Sequence, residues 1–328
     1  MSDSVNTPLM QVKGLKKYFS IKSNRLFERP KNLYAVDDVS FDVFKLETLG
    51  VVGESGSGKS TLARAILGLV PKTGGQIMYD GVDITDPKGS KSPGFVKRRE
   101  LQMVFQDPFA SLNPRIKIGS AIEEAIMACG KSDTRAEAKK RAKQLLEMVG
   151  LSGEMANRYP HEFSGGQRQR VGIARALAAE PHILFCDESV SALDVSVQAQ
   201  VLNLFNQLKK ELDLTYVFIA HDLAVIKYVS DRIAVMYLGK IMEIATTEDL
   251  FERNLHPYTK ALISAIPEPS TTPTSERIIL KGDIPSPINP PKGCRFYTRC
   301  FMAAPECEKE EPLLRELYPG HYVSCHCV

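Results

Sequence analysis

One short segment, Gly53-Glu-Ser-Gly-Ser-Gly58-Lys59-Ser60-Thr61, constrains this chain more than any other feature. It fits the pattern G-x-x-x-x-G-K-[ST], in which glycines let backbone N–H groups turn towards a phosphate chain. Lys59 is expected to reach the outer phosphates, and the hydroxyl of Ser60 is expected to meet Mg²⁺. The segment therefore predicts an ATP or GTP site.

The residues on either side of this phosphate-binding loop (P-loop) predict the secondary structure that it requires. Thr48–Val52 is a short apolar run suited to a buried strand, and Thr61–Leu69 has apolar residues at helical spacing. The positive end of the helix would add to the phosphate site. The predicted nucleotide-binding residues of the loop are Gly53, Glu54, Ser55, Gly56, Ser57, Gly58, Lys59, Ser60 and Thr61.

Length and composition set broad limits. The 328 residues allow one large domain or about two. The net charge is only +3, so bulk electrostatics give no indication of nucleic-acid binding. The amino terminus lacks the basic start and apolar core of a secretory signal, and no stretch reaches about 18 uninterrupted apolar residues. We therefore expect a cytoplasmic protein that does not span a membrane by itself.

The front of the chain predicts β structure. Strand-like alternation surrounds Leu9–Val12 and Val39–Phe44, with a polar insert at Lys22–Lys31 between them. Gln76–Tyr79 predicts a further strand, which ends in the tight turn Asp80-Gly81. This section is therefore expected to be β-rich.

Helices and parallel strands are predicted further along. The stretch Thr134–Val149, rich in Ala, Lys, Glu and Leu, indicates an amphipathic helix. Short apolar strands then alternate with helices, a pattern typical of a parallel sheet covered by helices. The predicted elements are the strand Ile183–Cys186, the helix Val197–Leu212, the strand Tyr216–Ala220 and the helix after Asp222.

Two carboxylates, Asp187 and Glu188, end the apolar strand that begins at Ile183. Acidic side chains in that place are explained if a cation or a reactive group lies at the carboxyl edge of the sheet. Next to a P-loop, Asp187 can hold Mg²⁺ directly or through water, and Glu188 can polarise a water for attack on the γ-phosphate. The alternative is a strand end with exposed acids.

The segment Phe163-Ser-Gly-Gly-Gln167 lies between the P-loop and Asp187 and resembles the signature motif of ATP-binding cassette (ABC) ATPases. Ser164 can cap the helix that Gln167 begins, and the two glycines leave the first N–H groups open to an anion. The resemblance implies a head-to-tail dimer, with each ATP held between the P-loop of one subunit and the signature of the other. The implied signature contacts are Ser164, Gly165, Gly166 and Gln167.

Three further segments resemble motifs of the same family. Gln106 resembles the Q-loop glutamine, which touches Mg²⁺ and reports the nucleotide state to a helical subdomain. Asp194, in Ser191-Ala-Leu-Asp, resembles the D-loop at the dimer seam, and His221 resembles the switch histidine that contacts the γ-phosphate. The resemblance implies Glu188, His221 and Gln106 as catalytic residues, and Ser60, Gln106 and Asp187 as ligands of Mg²⁺.

An aromatic side chain upstream of the P-loop is expected to stack on adenine, because the face of a base needs a π partner. Phe19 is the predicted residue, and Tyr18 and Tyr34 are weaker candidates. Core packing is the alternative explanation for an aromatic residue near a strand.

Ser189 departs from the family pattern, in which proline usually follows the catalytic carboxylate. Serine loosens φ at this position and adds a donor. Both carboxylates, Lys59 and His221 are nevertheless present. We therefore expect a competent site with at most a modest change in rate.

Several segments resemble the ATPases of dipeptide and oligopeptide importers, and this resemblance covers nearly the whole chain. They are Asp107–Arg115, Arg158–Gln167, Ser191–Leu202 and His256–Leu262. The resemblance implies an ATPase that powers peptide import from the cytoplasmic face of the inner membrane. The implied partners are a second, paralogous ABC ATPase subunit, two transmembrane permeases and an extracytoplasmic peptide-binding protein, with no nucleic acid.

Two alternative functions remain open. One is import of nickel or another small solute by the same subfamily, which the ATPase sequence hardly excludes. The other is a soluble ABC ATPase that acts on nucleic acid. Repair relatives of that class insert a long coiled coil between P-loop and signature, whereas only about a hundred residues intervene here. Ribosome-associated relatives usually carry two cassettes, and this chain has one.

The tail is rich in proline from Ile266 onward, and its last 35 residues hold five of the seven cysteines. Four thiolates in a reducing compartment suit zinc or an iron–sulfur cluster, and unligated cysteines are the alternative. Peptide-importer ATPases with this tail resemble iron–sulfur carriers. The resemblance implies a 4Fe–4S cluster on Cys294, Cys300, Cys307 and Cys325, with Cys327 as a spare or a substitute.

The expected fold is α/β. It is that of a P-loop ABC ATPase, with a RecA-like core of parallel strands, an N-terminal antiparallel β subdomain, a helical subdomain at about 107–180 and a Cys-rich extension. The expected domains are a nucleotide-binding domain at 1–265 and the extension at 266–328. The expected cofactors are ATP, Mg²⁺ and an iron–sulfur cluster.

Overall fold

The structure is a computed structural model that describes residues 7–21, 30–89, 91–107, 111–267 and 277–328. Most of the predicted insert at Lys22–Lys31 lies outside the described residues. The same is true of residues 108–110 in the segment Asp107–Arg115 and of residues 268–276 in the proline-rich stretch. The chain divides into two compact units.

Strands and helices alternate along most of the chain. The strands are β1 (Met10–Ile21), β2 (Lys31–Val43), β3 (Thr48–Val52), β4 (Gly74–Tyr79), β5 (Val82–Asp83), β6 (Leu101–Val104), β7 (Ile183–Asp187), β8 (Thr215–Ile219), β9 (Arg232–Tyr237), β10 (Lys240–Thr246), β11 (Arg315–Tyr318) and β12 (His321–Val323). The α-helices are α1 (Lys59–Ile66), α2 (Pro93–Arg98), α3 (Ile118–Ala128), α4 (Arg135–Met148), α5 (Gly165–Leu177), α6 (Val195–Glu211), α7 (Leu223–Val229), α8 (Thr247–Glu252), α9 (Pro257–Ser264) and α10 (Pro305–Lys309). Across the described ranges, no helix has both the length and the apolar content needed to cross a bilayer.

The first unit, which we call the P-loop unit, comprises Pro8–Val43, Thr48–Asp80 and Ala220–Val328. Within it, β1 pairs in antiparallel fashion with β2 and with β4. The strand before the P-loop, β3, pairs in parallel with β9. Antiparallel pairing then continues from β9 through β10 and β12 to β11. The unit therefore contains the predicted β-rich front of the chain and the strand that carries the P-loop.

The second unit, which we call the signature unit, comprises Phe44–Glu47, Gly81–Ile219 and Thr7. Its strands β6, β7 and β8 are parallel, with β7 in the middle. Helices α3, α4 and α5 pack against one another, and the apolar face of α4 is buried at Leu145 and Leu146. Parallel strands combined with helices make an α/β fold, as predicted.

Several predicted elements coincide with the observed ones. The apolar run Thr48–Val52 is β3, and α4 occupies the predicted helix, with Thr134 as the N-cap that accepts the Glu137 N–H. Two helices begin earlier than predicted, α1 at Lys59 and α6 at Val195. Their first turns are not marked by buried apolar residues at regular spacing, so the hydrophobic pattern detects the helix only further along.

A buried carboxylate joins three parts of the P-loop unit. Glu243 on β10 is fully buried, so its charge must be satisfied by hydrogen bonds. Its two oxygens accept the backbone N–H groups of Leu255 at 2.8 Å and His256 at 3.0 Å. Nε2 of His321 on β12 lies 2.7 Å from Glu243 Oε1. One acidic side chain thus connects the sheet, the start of α9 and the C-terminal strand pair.

The buried imidazole of His256 makes the stability of the fold depend on pH. Burial lowers the pKa of this imidazole from its ordinary value of 6.5 to about 4, although the Glu243 carboxylate acts to raise it. Between those values the unfolded chain binds a proton at His256 that the folded chain does not bind, so acidification favours unfolding. We expect the free energy of unfolding to fall between about pH 7 and about pH 5, and His256→Asn to reduce that fall. Urea unfolding at both pH values measures the difference.

Asparagine suits this test because His256 also caps α9. Its Nδ1 atom accepts the Tyr258 N–H at 3.0 Å, and the amide oxygen of asparagine can accept the same bond. His161→Asn is the matched control, because His161 is exposed. Equal pH dependence in the wild type and in His256→Asn would contradict this role for the buried imidazole.

Candidate functional site

The P-loop joins β3 to α1 within the P-loop unit. Two of its glycines have positive φ and lie against backbone carbonyl oxygens. An added Cβ would stand 2.0 Å from Met236 O at Gly53, and 2.0 Å from Ala35 O at Gly58. Both clashes are with backbone, so neither position accepts a side chain without movement of the chain. The strand, loop and helix predicted from the sequence are therefore in place.

Lys59 is the first residue of α1 and is buried. Its Nζ atom donates to the carbonyl oxygens of Gly53 at 2.8 Å and Glu54 at 3.1 Å. It also lies 3.4 Å from Ser57 Oγ. The ammonium group is thus held against the loop, where a phosphate chain requires a cation. This placement fits the role predicted for Lys59.

The tip of the P-loop is open to solvent. Ser55 and Gly56 are exposed, and Gly56, with a φ of +79°, has open space around it. Ser60 and Thr61 are half-buried in the first turn of α1. A phosphate chain can therefore approach the loop from solvent and meet the positive end of the helix.

Glu54 is held by two side chains that were not predicted to lie at the P-loop. Its backbone N–H donates to the Tyr258 hydroxyl at 2.8 Å. The guanidinium of Arg299 donates to both of its carboxylate oxygens, at 2.6 and 3.1 Å. Tyr258 and Arg299 lie 204 and 245 positions further along the chain, so only the fold brings them to the loop. Tyr258 lies in the segment His256–Leu262 that resembles importer ATPases, but nothing in that segment indicates a contact with the P-loop.

His221 follows β8 and is exposed. The preceding residue, Ala220, donates its N–H to Val51 O at 3.2 Å, which places this segment beside the end of β3. Asp222 then caps α7 by accepting the Ala224 N–H at 2.8 Å. The histidine therefore lies next to the strand that leads into the P-loop. Its contact with the γ-phosphate stays a prediction.

Of the three aromatic candidates, Phe19 is the most exposed, with 39% of its surface accessible. Lys17 Nζ lies 4.4 Å from the centre of its ring. Tyr18 is engaged within the protein, because its ring meets that of Tyr34 edge-on at 4.6 Å and its hydroxyl donates to Asp37 at 2.5 Å. Phe19 thus keeps a ring available for stacking, and its contact with adenine stays a prediction.

In the signature unit, β7 ends in the two predicted carboxylates. Asp187 is fully buried and pairs in register with Ile219 of β8. Glu188 is half-buried, and its N–H donates to Ile219 O at 2.9 Å. Gln106 Nε2 donates to Glu188 Oε2 at 2.7 Å, across 82 positions of sequence. The structure therefore brings together two of the predicted catalytic residues, Gln106 and Glu188.

The backbone of Glu188 is in the left-handed region, with a φ of 43°. For a residue other than glycine this conformation costs roughly 1–3 kcal/mol. The bend is held at Glu188 O, which accepts the Ser191 N–H at 3.2 Å and the Ser191 hydroxyl at 3.0 Å. Ser189 is buried, and its hydroxyl has no hydrogen-bond partner within the described part of the chain. The effect of Ser189 on rate stays a prediction.

Helix α5 begins inside the predicted signature motif. Ser164 Oγ accepts the Gln167 N–H at 3.3 Å, and Gln167 Oε1 accepts the Ser164 N–H at 3.0 Å. The helix starts at Gly165, two residues earlier than predicted, because this reciprocal cap needs its glutamine at the third helical position. Gly166 lies so close to α6 that a Cβ would stand 2.3 Å from Val197 Cγ1. Ser164 and Gly165 are exposed, which leaves this end of the helix open.

Asp194 precedes α6 and is exposed. Its carbonyl oxygen accepts the Gln198 N–H at 2.8 Å, whereas its carboxylate makes no capping hydrogen bond. The side chain is therefore not used to cap the helix. Its place at a dimer seam stays a prediction.

The prediction of an iron–sulfur cluster in the tail is wrong. Within the described ranges, no group of three or more His, Cys, Asp or Glu side chains is placed to hold a metal ion. Burial raises the pKa of Cys294 to about 12 and that of Cys327 to about 11. The predicted ligands Cys294, Cys300, Cys307 and Cys325 are free cysteines, of which only Cys300 is not buried.

The chemistry of these residues fits ATP with Mg²⁺. The P-loop is a cradle that a Cβ at Gly53 or Gly58 would fill, and Lys59 supplies a buried cation beside it. Asp187 is a fully buried carboxylate, a charge that proteins retain where a cation or strong donors compensate it. Carboxylate and hydroxyl oxygens are the ligands that Mg²⁺ prefers.

Comparison with known families gives two matches along the chain. The family model described as "ABC transporter" matches residues 36–191. The model described as "Oligopeptide/dipeptide transporter, C-terminal region" matches residues 242–307. The first match contains the P-loop, the signature motif and both carboxylates.

Curated relatives match over nearly the whole chain. A putative peptide import ATP-binding protein of Brucella ovis is 52% identical over 319 residues, which are 97% of this chain and 98% of that protein. The oligopeptide transport ATP-binding protein AppF of Bacillus subtilis is 50% identical, with 97% of each chain covered. The oligopeptide transport ATP-binding protein OppF of Escherichia coli is 50% identical, with 97% of this chain and 95% of that protein covered.

Solved structures confirm the predicted α/β P-loop fold. The ATP-binding cassette MJ0796, in a dimeric post-hydrolysis state bound to ADP and Pi, matches with a TM-score of 0.62 and 28% identity over 73% of this chain and 98% of that chain. The protein cbiO1 of Clostridium perfringens, part of the ABC transporter complex cbiONQ, matches with a TM-score of 0.61 and 25% identity. That match covers 75% of this chain and 91% of cbiO1. The chain therefore belongs to the ABC transporter family, as an ATP-hydrolysing protein of its oligopeptide/dipeptide transporter group.

Proposed function

We propose that this protein is the ATP-hydrolysing subunit that powers a peptide importer. One observation carries the proposal: similarity to the oligopeptide transport proteins AppF and OppF, at 50% identity, extends over 97% of the chain. The family match at residues 242–307 supports it, because that model describes oligopeptide and dipeptide transporters. The chain supplies the energy of ATP hydrolysis, and its partners select the solute.

In the proposed binding site, the P-loop holds the phosphates and Phe19 stacks on adenine. Lys59 supplies positive charge to the outer phosphates. Ser60, Gln106 and Asp187 are the proposed ligands of Mg²⁺, which neutralises phosphate charge when bound. The signature residues Ser164, Gly165, Gly166 and Gln167 are proposed to close the site on the ATP of a partner subunit, with Asp194 at the seam.

Glu188 is the proposed general base for hydrolysis. Its carboxylate takes a proton from the attacking water, and His221 contacts the γ-phosphate. The hydrogen bond from Gln106 to Glu188 Oε2, at 2.7 Å, supports this role because it orients the carboxylate. A change at Glu188 can also be transmitted through this hydrogen bond to Gln106 and the rest of the signature unit.

The proposed partners follow from the relatives. They are two membrane permeases, an extracytoplasmic peptide-binding protein and a second ABC ATPase, which we propose to be a paralogue. The protein would then act at the cytoplasmic face of the inner membrane. The division into a nucleotide-binding domain at 1–265 and a Cys-rich extension at 266–328 stays a prediction.

Substitution of the P-loop glycines tests the ATP site. Gly58→Ala brings a Cβ to 2.0 Å from Ala35 O, so the loop must move. We expect ATP affinity to fall by more than about tenfold. Gly81→Ala is the matched control, because it adds the same methyl group at positive φ into open space outside the P-loop. Calorimetric titration with ATP and Mg²⁺ measures the affinity of both variants. An equal loss of ATP affinity in the two variants would contradict the role of the P-loop backbone in holding the phosphates.

Glu188→Gln tests the general base. Glutamine keeps the shape and an oxygen for the bond from Gln106, but it cannot take a proton, so we expect phosphate release to be nearly abolished while ATP binding persists. Glu180→Gln is the control, because Glu180 is a surface residue that pairs with Lys131 at 2.9 Å. Normal hydrolysis by Glu188→Gln would show that another group is the base.

Affinity purification of the tagged protein from solubilised native membranes tests the proposed function as a whole. We expect two multi-span permeases and a second cassette to copurify. A strain that lacks the protein should lose growth on peptides as the source of a required amino acid, and the wild type but not Glu188→Gln should restore it. Recovery of ribosomes or repair proteins without a permease, or loss of nickel uptake with normal peptide use, would contradict peptide import.

A further inference from the structure

The P-loop contains an acidic residue beside its phosphate-binding lysine. Lys59 Nζ donates to the carbonyl oxygen of Glu54 at 3.1 Å, so Glu54 is directly next to the cation that reaches for the phosphates. The phosphate chain of ATP is strongly anionic. A negative charge carried by this loop opposes the binding of an anion, and it does so most strongly when the carboxylate is not compensated.

Arg299 neutralises that carboxylate. Its two terminal nitrogens donate to the two oxygens of Glu54 at 2.6 and 3.1 Å, the paired geometry that guanidinium and carboxylate groups favour. The Arg299 side chain is 8% exposed and that of Glu54 is 27% exposed, so the pair is screened less than a surface ion pair. The hydrogen bond to Glu54 raises the pKa of Arg299 above its ordinary value, which keeps the guanidinium charged.

The tail fixes Arg299 through a buried aromatic cluster. Phe296 is fully buried, and its ring lies 5.3 Å from that of Tyr237 and 5.2 Å from that of Tyr258. The short turn from Phe296 to Arg299 is closed by the Arg299 N–H, which donates to Phe296 O at 3.0 Å. Tyr258 in turn accepts the Glu54 N–H at 2.8 Å. The same cluster therefore holds both groups that anchor Glu54.

We propose that Arg299 is a positioning residue for ATP binding, which acts through Glu54 to neutralise and fix the P-loop. The C-terminal tail thereby sets the affinity of the loop for the phosphates. This inference rests on the P-loop as the ATP site and adds to it a contribution from the tail, which no P-loop motif contains.

Removal of the guanidinium tests the proposal. We expect Arg299→Gln in the full-length chain to weaken binding of ATP with Mg²⁺ by about tenfold, because the charge of Glu54 is no longer compensated. KM for ATP should rise by a similar factor, whereas kcat at saturating ATP should change little, because Glu188 and Gln106 are untouched. Calorimetric titration and steady-state phosphate release measure the two effects.

A double substitution separates this charge effect from a merely structural one. In Glu54→Gln/Arg299→Gln no charge is left uncompensated, so we expect ATP affinity to return to within about twofold of the wild type. The ATP affinity of Arg299→Lys should lie between that of the wild type and that of Arg299→Gln, since lysine keeps the charge but loses the paired geometry. If Arg299 only held the tail together, the double variant would bind ATP as weakly as Arg299→Gln or more weakly, and the proposal would be overturned.

Two controls complete the test. Arg315→Gln removes a tail arginine whose guanidinium donates to Cys325 O at 3.3 Å and to Val328 O, all within the tail. This variant should bind ATP normally.

Lys59→Ala tests the ATP site itself. If Lys59→Ala binds ATP normally, the assignment of the P-loop fails. If Lys59→Ala loses ATP while Arg299→Gln keeps wild-type affinity, only the present inference fails. Should Arg299→Gln unfold, Arg299→Lys and the double variant still decide the question.

Discussion

The close approach of two P-loop glycines to backbone carbonyl oxygens is the constraint on which the nucleotide site depends. Gly53 lies against Met236 at the end of β9, and Gly58 lies against Ala35 on β2. The turn at Gly239 adds hydrogen bonds to the loop and to β2, at 2.9 and 2.8 Å. The loop is thus fixed by strands of two sheets in the same unit. A side chain at either glycine would push the loop away from the strand that this glycine contacts, since close-packed backbone transmits such strain.

The sequence predicted those parts of the site whose signal is contiguous. The P-loop and β3 follow one another within fourteen positions, Thr48 to Thr61, and both appear where the pattern placed them. Helix α4 was also predicted from a contiguous signal, the stretch rich in Ala, Lys, Glu and Leu that begins at Thr134. The contacts of Arg299 and Tyr258 with Glu54 were not predictable, because each spans more than 200 positions of sequence and no local pattern relates residues so far apart. Their role depends on tertiary packing alone.

The cysteines show that residues close together in the sequence need not form a metal site. Five of them crowd into the tail, and the family resemblance implied a cluster. A metal requires thiolates that converge with defined geometry, and the described side chains form no such group. For Gln106 and Glu188, in contrast, the structure adds a contact to the predicted roles. The resemblance named both residues, yet only the structure shows that one donates to the other.

The solved cassette MJ0796 matches 73% of this chain and 98% of its own length, so its fold accounts for most of this chain but not all of it. Residues 242–307 match a separate family model, and Arg299 lies within them. In the proposal above, this segment adjusts the P-loop site. Glu54 is where such an adjustment is needed, because it places a negative charge in a loop that binds anions. An arginine supplied by the tail compensates that charge, so the acidic residue and the added segment are best understood together.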